Sequence, residues 1–90
     1  MIYSVRIERS AAKELAAIGK AFRMRIIGSI DTLAENPHRG SALKGELSGL
    51  RRIRVGDYRV IYEIDEAEVV VMVVHERHRR DVYHKRGATR

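Results

Sequence analysis

Residues 50–64, Leu50-Arg51-Arg52-Ile53-Arg54-Val55-Gly56-Asp57-Tyr58-Arg59-Val60-Ile61-Tyr62-Glu63-Ile64, decide the fold. Apolar and charged residues alternate on either side of Gly56-Asp57, and a glycine-led two-residue turn between two β-prone runs predicts a tight hairpin. In that register Val55 opposes Tyr58, Arg54 opposes Arg59, Ile53 opposes Val60 and Arg52 opposes Ile61. Ile53, Val55, Tyr58, Val60, Tyr62 and Ile64 then share one face, apolar enough to pack on helices, while Arg52, Arg54, Arg59 and Ile61 share the other. Arg54 directly across from Arg59 is a repulsive pair, which is what an anion site looks like before its ligand arrives. The competing reading is a surface ion network in which Asp57, Glu63 or Glu76 pairs with these arginines.

Upstream, Ile2, Tyr3, Val5 and Ile7 predict a short first strand, after which Ser10 is a candidate helix N-cap. Ala11, Leu15, Ile18 and Phe22 recur at helical spacing, continued by Ile26, Ile30 and Leu33 toward Asn36-Pro37, where proline stops the helix. Gly19 divides this region into a helical hairpin, and residues 36–49, which hold the single Pro, read as a long connecting loop. Met24 and Met72 read as core filler. Downstream, the acidic turn 65–68 leads into an apolar run from Val69 to His75. The expected order is βααβββ with a basic C-terminal tail, an α+β fold. One sheet face covers the helices and the opposite face stays available for function.

Composition narrows the function. A chain of 90 residues buries only about 60–65% of its unfolded surface, so chemistry is expected on an open surface and not in a large internal cavity. The absence of Cys excludes disulfides, thiolate nucleophiles and Cys-ligated zinc. No membrane-length apolar run or signal-peptide pattern is seen, so a cytoplasmic protein with no membrane partner is expected. The net charge of +6 is concentrated: residues 51–59 carry +3 and residues 75–90 carry +4, leaving −1 for the rest. Such segregation points to a polyanion, with nucleic acid ahead of acidic lipid.

Candidate chemistry follows the charge. His75 and His78 have a ligand-like spacing, but Arg77 and Arg79 would repel a cation, and RNA contact or proton transfer suits the histidines better. Tyr83, set among Arg77, Arg79, Arg80, His84, Lys85 and Arg86, suits stacking on an unstacked base, or anchoring the tail through its ring. No Ser-His-Asp set, glycine-rich phosphate loop or carboxylate pair supports nucleophilic or sugar chemistry.

Leu43-Lys44-Gly45, Gly49-Leu50-Arg51-Arg52-Ile53-Arg54, Gly56-Asp57-Tyr58-Arg59-Val60-Ile61-Tyr62 and His78-Arg79-Arg80-Asp81-Val82-Tyr83 together resemble the RelE-type toxins of the RelE/ParE toxin–antitoxin superfamily, the ribosome-dependent mRNA interferases. The resemblance spans nearly the whole chain and implies one RelE-like domain over residues 1–90, a small, twisted, mostly antiparallel sheet on a helical hairpin. The hairpin segment is shared with ParE-like gyrase poisons, whereas the basic second strand and terminal tyrosine point to the RelE branch. What the RelE branch implies is a metal-independent, cofactor-free endoribonuclease that enters the ribosomal A site against 16S rRNA. It cleaves mRNA there by attack of a 2′-OH on the adjacent phosphate, inhibiting translation.

Carried over by position, the resemblance implies catalytic roles for Arg52, Arg54, Arg59, Arg77 and Tyr83, with Lys44, Arg51, His78, Arg79 and Arg80 contacting RNA. The best-known relatives carry Lys where this chain has Arg52 and Arg54, and guanidinium is a poor proton acceptor. Tyr83, acidified by neighbouring arginines, is therefore the expected base, and Arg77 or His78 serves the leaving 5′ oxygen. A cognate acidic antitoxin of the RelB type is the implied partner beside the ribosome and mRNA, and the isolated toxin is expected to be monomeric. A ParE-like gyrase poison without nuclease activity and a catalytically inactive RNA-binding relative are the alternative functions.

Overall fold

A computed structural model describes residues 2–76. The chain forms β1 (Ser4–Ile7), α1 (Arg9–Ala16), α2 (Lys20–Thr32), β2 (Ser41–Ala42), β3 (Arg51–Val55), β4 (Tyr58–Asp65) and β5 (Glu68–Glu76), with 3₁₀ turns at Pro37–Arg39 and Gly45–Leu47. The sheet order is β1-β5-β4-β3-β2. β1 runs parallel to β5 and every other pair is antiparallel. A parallel neighbour needs a crossover, and the helical hairpin supplies it between β1 and the strands that follow.

The hairpin forms in the expected register, from Arg52↔Ile61 through Arg54↔Arg59 to Val55↔Tyr58. Gly56 has a φ of 59°, the positive value a tight hairpin needs at its first central position. A Cβ at Gly56 would strike the ring of Phe22 on α2, so the turn is also where sheet and helix meet. Phe22 packs its ring 5.0 Å from that of Tyr58, with the Arg25 guanidinium 4.7 Å above it.

Ala11, Leu15, Ile26 and Ile30 of the helices, with Ile18 between them and Leu33 just past α2, pack on Ile53, Val55, Val60 and Tyr62 of the hairpin and on Val69, Val71 and Val74 of β5. Val71 and Val74 share the core face despite their odd spacing, because the β4–β5 register shifts between Ile61/Tyr62: Ile61 faces Val73 and Tyr62 faces Val71. A bulge inserts Met72 at that point and re-aims the strand.

Several sequence expectations change. α1 begins at Arg9 with Glu8 as its N-cap residue, so Ser10 lies inside the helix. The Glu8 N–H donates to Val71 O at 2.9 Å, and β1 therefore passes into the helix without a polar side-chain cap. α2 ends at Thr32, short of Pro37, where the backbone tightens into i→i+3 bonds from Leu33, Ala34 and Glu35. Met24 is 55% exposed, since Phe22, Ile26 and Ile30 already occupy the packed side of α2. The 36–49 segment is built and not a simple connector: Ser41 pairs with Arg52 and Ala42 with Arg51, adding a fifth strand.

The face opposite the helices is also less open than expected. Arg59 is 6% exposed there, and Ile61 and Val70, both outside the helix-side core cluster, are 3% and 2% exposed. No helix among the described residues is long and apolar enough to cross a membrane.

Gly56→Ala combines a left-handed backbone with a collision against Phe22, and should cost about 1–3 kcal/mol of folding stability. Asp57→Ala, at the exposed second turn position, should stay within about 0.5 kcal/mol of wild type. Urea denaturation midpoints check both, and an unshifted midpoint for Gly56→Ala would contradict the proposed turn.

Candidate functional site

Strand pairing assembles the cationic face row by row. Arg54 on β3 faces Arg59 on β4, and Arg59 in turn faces His75 on β5, so three adjacent strands present a basic row. The adjoining row runs Ser41, Arg52, Ile61 and Val73. Val55 and Tyr58 flank the turn as a hydrogen-bonded pair, which makes Arg54 and Arg59 the closer, non-hydrogen-bonded kind, with Cα atoms about 4.5 Å apart. Arg54 is exposed and Arg59 buried, so one guanidinium meets solvent while its neighbour sits where the local dielectric is low.

At the far edge of this face an arginine is paired with carboxylates. Arg6 on β1 donates from Nε to Glu68 at 3.3 Å and approaches Glu8 at 3.8 Å. The β3 edge is different: the Arg52 side chain has no hydrogen-bond or ion-pair partner among the described residues. A cavity of about 390 Å³ opens at this edge, lined by Arg39, Gly40, Ser41, Arg52, Ile53 and Arg54.

Arg51 belongs to a different environment from Arg52 and Arg54. It points to the Tyr62 side of β3, and its Nη2 donates to His38 O at 2.9 Å and to Gly40 O at 2.7 Å. Tyr62, fully buried, holds the same segment: its hydroxyl donates to Pro37 O at 2.6 Å and accepts from Gly40 N–H at 3.2 Å. A Cβ on Gly40 would come within 2.5 Å of the Tyr62 Oη and 2.8 Å of Arg52 O, so only glycine allows this approach. Arg51 is thus a tie for the loop that forms one wall of the cavity.

Of the other sequence candidates, Lys44 is exposed just before the Gly45–Leu47 turn and does not line the cavity. Arg77, His78, Arg79, Arg80 and Tyr83 lie outside the described residues. No group of three or more His, Cys, Asp or Glu among the described residues is placed to hold a metal ion. Sequence reasoning did not place His75 in the arginine row, because the Met72 bulge hides the β4–β5 register. It also missed Arg39 and Ser41, which reach the site through a 3₁₀ turn and a two-residue strand, both too short to show a period.

A helical hairpin packed on one face of a five-stranded mixed sheet matches the structures of RelE toxins. The chain belongs to that superfamily: the family described as ParE toxin of type II toxin–antitoxin systems matches residues 5–83. The chain is 36% identical over 75 residues to Toxin RelE of Mycobacterium tuberculosis, a match covering 81% of this chain and 77% of that protein. Its structure resembles the RelBE2 toxin–antitoxin complex of M. tuberculosis at a TM-score of 0.80 and 30% identity, over 86% of this chain and 93% of that one. It resembles the isolated E. coli RelE toxin at a TM-score of 0.74 and 25% identity, over 96% of each chain. This protein is therefore a type II toxin–antitoxin toxin with RelE homologues.

Arg51→Met removes two bonds to loop carbonyls and should cost about 1–3 kcal/mol of stability, whereas Arg52→Met should stay within about 0.5 kcal/mol. Chemical denaturation of the two variants side by side separates the structural arginine from its neighbour. Equal losses would reject the distinction.

Proposed function

We propose that this toxin is a cytoplasmic, ribosome-dependent endoribonuclease that cleaves mRNA in the A site. The observation that carries the reading is the alignment of Arg54 with Arg59, with Arg52 two residues along on the same face. In the reaction the 2′-oxygen forms a bond to the adjacent phosphorus, the bond from phosphorus to the 5′ oxygen breaks, and a 2′,3′-cyclic phosphate and a 5′-OH result. One proton leaves the 2′-OH and one is delivered to the 5′ oxygen, so no metal or cofactor is required for balance.

The phosphorane gathers negative charge on its equatorial oxygens, and guanidinium groups held in place beforehand stabilise that charge more than they stabilise the ground state. Arg52, Arg54 and Arg59 supply it, and the burial of Arg59 strengthens its share. Arginine does not supply a base. Tyr83 takes the 2′-OH proton, and Arg77 or His78 serves the leaving oxygen. An acidic antitoxin of the RelB type is the partner, a reading supported by similarity to the toxin in the RelBE2 complex.

Arg54→Ala removes an exposed cation from beside the reacting phosphate and should slow cleavage on programmed ribosomes about 10²–10³-fold without loss of fold. Primer extension on mRNA from cells expressing the toxin reads the cuts directly. The family's ParE description favours a second reading as a gyrase poison, and DNA breaks with an SOS response in place of mRNA cuts would establish it. Tyr83→Phe should abolish cleavage while RNA binding persists, and an unchanged rate would remove Tyr83 as the base.

A further inference from the structure

We infer that the cavity walled by Arg39, Ser41, Arg52 and Arg54 is a second phosphate subsite, which takes a backbone phosphate of the RNA strand adjacent to the one held between Arg54 and Arg59. The inference rests on the RNA-cleaving reading and extends it to a residue, Arg39, that the hairpin does not contain.

Three guanidinium groups and, among the described residues, no carboxylate line the cavity, so its ligand is an anion. Arg39 is held ready for it. Its Nε donates to Thr32 Oγ1 at 2.9 Å, and Thr32 in turn donates to Ser29 O at 2.6 Å at the end of α2. Both terminal nitrogens of Arg39 make no hydrogen bond among the described residues, which leaves the fork for a bidentate partner. The backbone that carries Arg39 is fixed on both sides, by Tyr62 to Pro37 and Gly40 and by Arg51 to His38 and Gly40. A side chain mounted this way loses little freedom on binding.

Position argues for a separate phosphate. Ser41 sits on β2, one strand outboard of Arg52, and Arg59 lies on β4, one strand inboard. With strands about 4.8 Å apart, the β2 wall stands about 10 Å from the Arg59 backbone, far enough for the two to engage different phosphates of one strand. Arg52 and Arg54 stand between the two positions and can contact either. A nucleic acid backbone presents charges at such regular intervals. An acidic peptide seeks apolar anchors as well as charge, and among the described residues that line the cavity the one apolar side chain, Ile53, is buried.

The test is binding of a single-stranded RNA hexamer, made uncleavable by 2′-O-methylation, followed by fluorescence anisotropy over a salt series. Arg39→Gln should weaken binding about 10-fold at low salt and reduce the slope of log K against log salt by about 0.7, the value of one phosphate contact on a single strand. Arg39→Lys should keep the slope. In a second arm, hexamers carry one uncharged methylphosphonate at successive linkages. One linkage should penalise the wild type but not Arg39→Gln, the mark of direct coupling. An unchanged salt slope, or equal penalties for both proteins at every linkage, overturns the subsite. So does an Arg39→Gln variant that loses affinity for a hexaglutamate peptide and keeps it for RNA. If the wild type fails to cut mRNA on programmed ribosomes while the linkage-specific coupling holds, the cleavage reading fails and the subsite stands as an RNA-binding site.

Discussion

The two-residue turn at Gly56-Asp57 holds β3 and β4 in a single register, and a slip of one residue would carry Arg52 and Arg54 into the helix-side core and expel Ile53 and Val55. Burial of the apolar set forbids that slip, so the same force that closes the core presents the arginines on the opposite face. Gly56 makes the turn possible through its positive φ, and its lack of a side chain admits Phe22. Fold and candidate site therefore share one constraint. The charged face is the reverse side of the hydrophobic one, so no register slip can move it without losing the core.

The arginines divide by what they do. Arg23 donates to Ile18 O at 2.9 Å and to Ala16 O at 3.4 Å across the helical hairpin, and Arg51 ties the 36–40 segment to the sheet. Arg6 is neutralised by Glu8 and Glu68 at the β1 edge. Positive charge is thus paired with carboxylates at the β1 edge and gathered again toward β3 and the cavity. A net charge alone does not distinguish these roles. Hydrogen bonding to backbone carbonyls marks Arg23 and Arg51 as structural, whereas Arg39 and Arg52 line a cavity whose charge suits an anion.

Tyr62 connects the two halves of this arrangement. Its ring fills the core beneath the sheet while its hydroxyl satisfies Pro37 O and Gly40 N–H, so that packing and polar satisfaction place the same loop. Alternation assigns Tyr62 to the core face, but the reach of its hydroxyl to a segment more than twenty residues earlier has no local signature.

Local rules carried a good part of the answer from the sequence alone. The period-two alternation around a glycine turn determined the hairpin, its register and the Arg54–Arg59 pair, because strand geometry and turn chemistry act within a few residues. Gly19 likewise marked the division of the helical region. Only the tertiary structure decided the rest. The burial of Arg59, the Met72 bulge that brings His75 into line, and the pairing of Ser41 with Arg52 all depend on contacts between segments distant in sequence. Arg39 reaches the cavity for the same reason: its place is set by Thr32, by Tyr62 and by the strand on the far side, none of which its neighbours in the chain disclose.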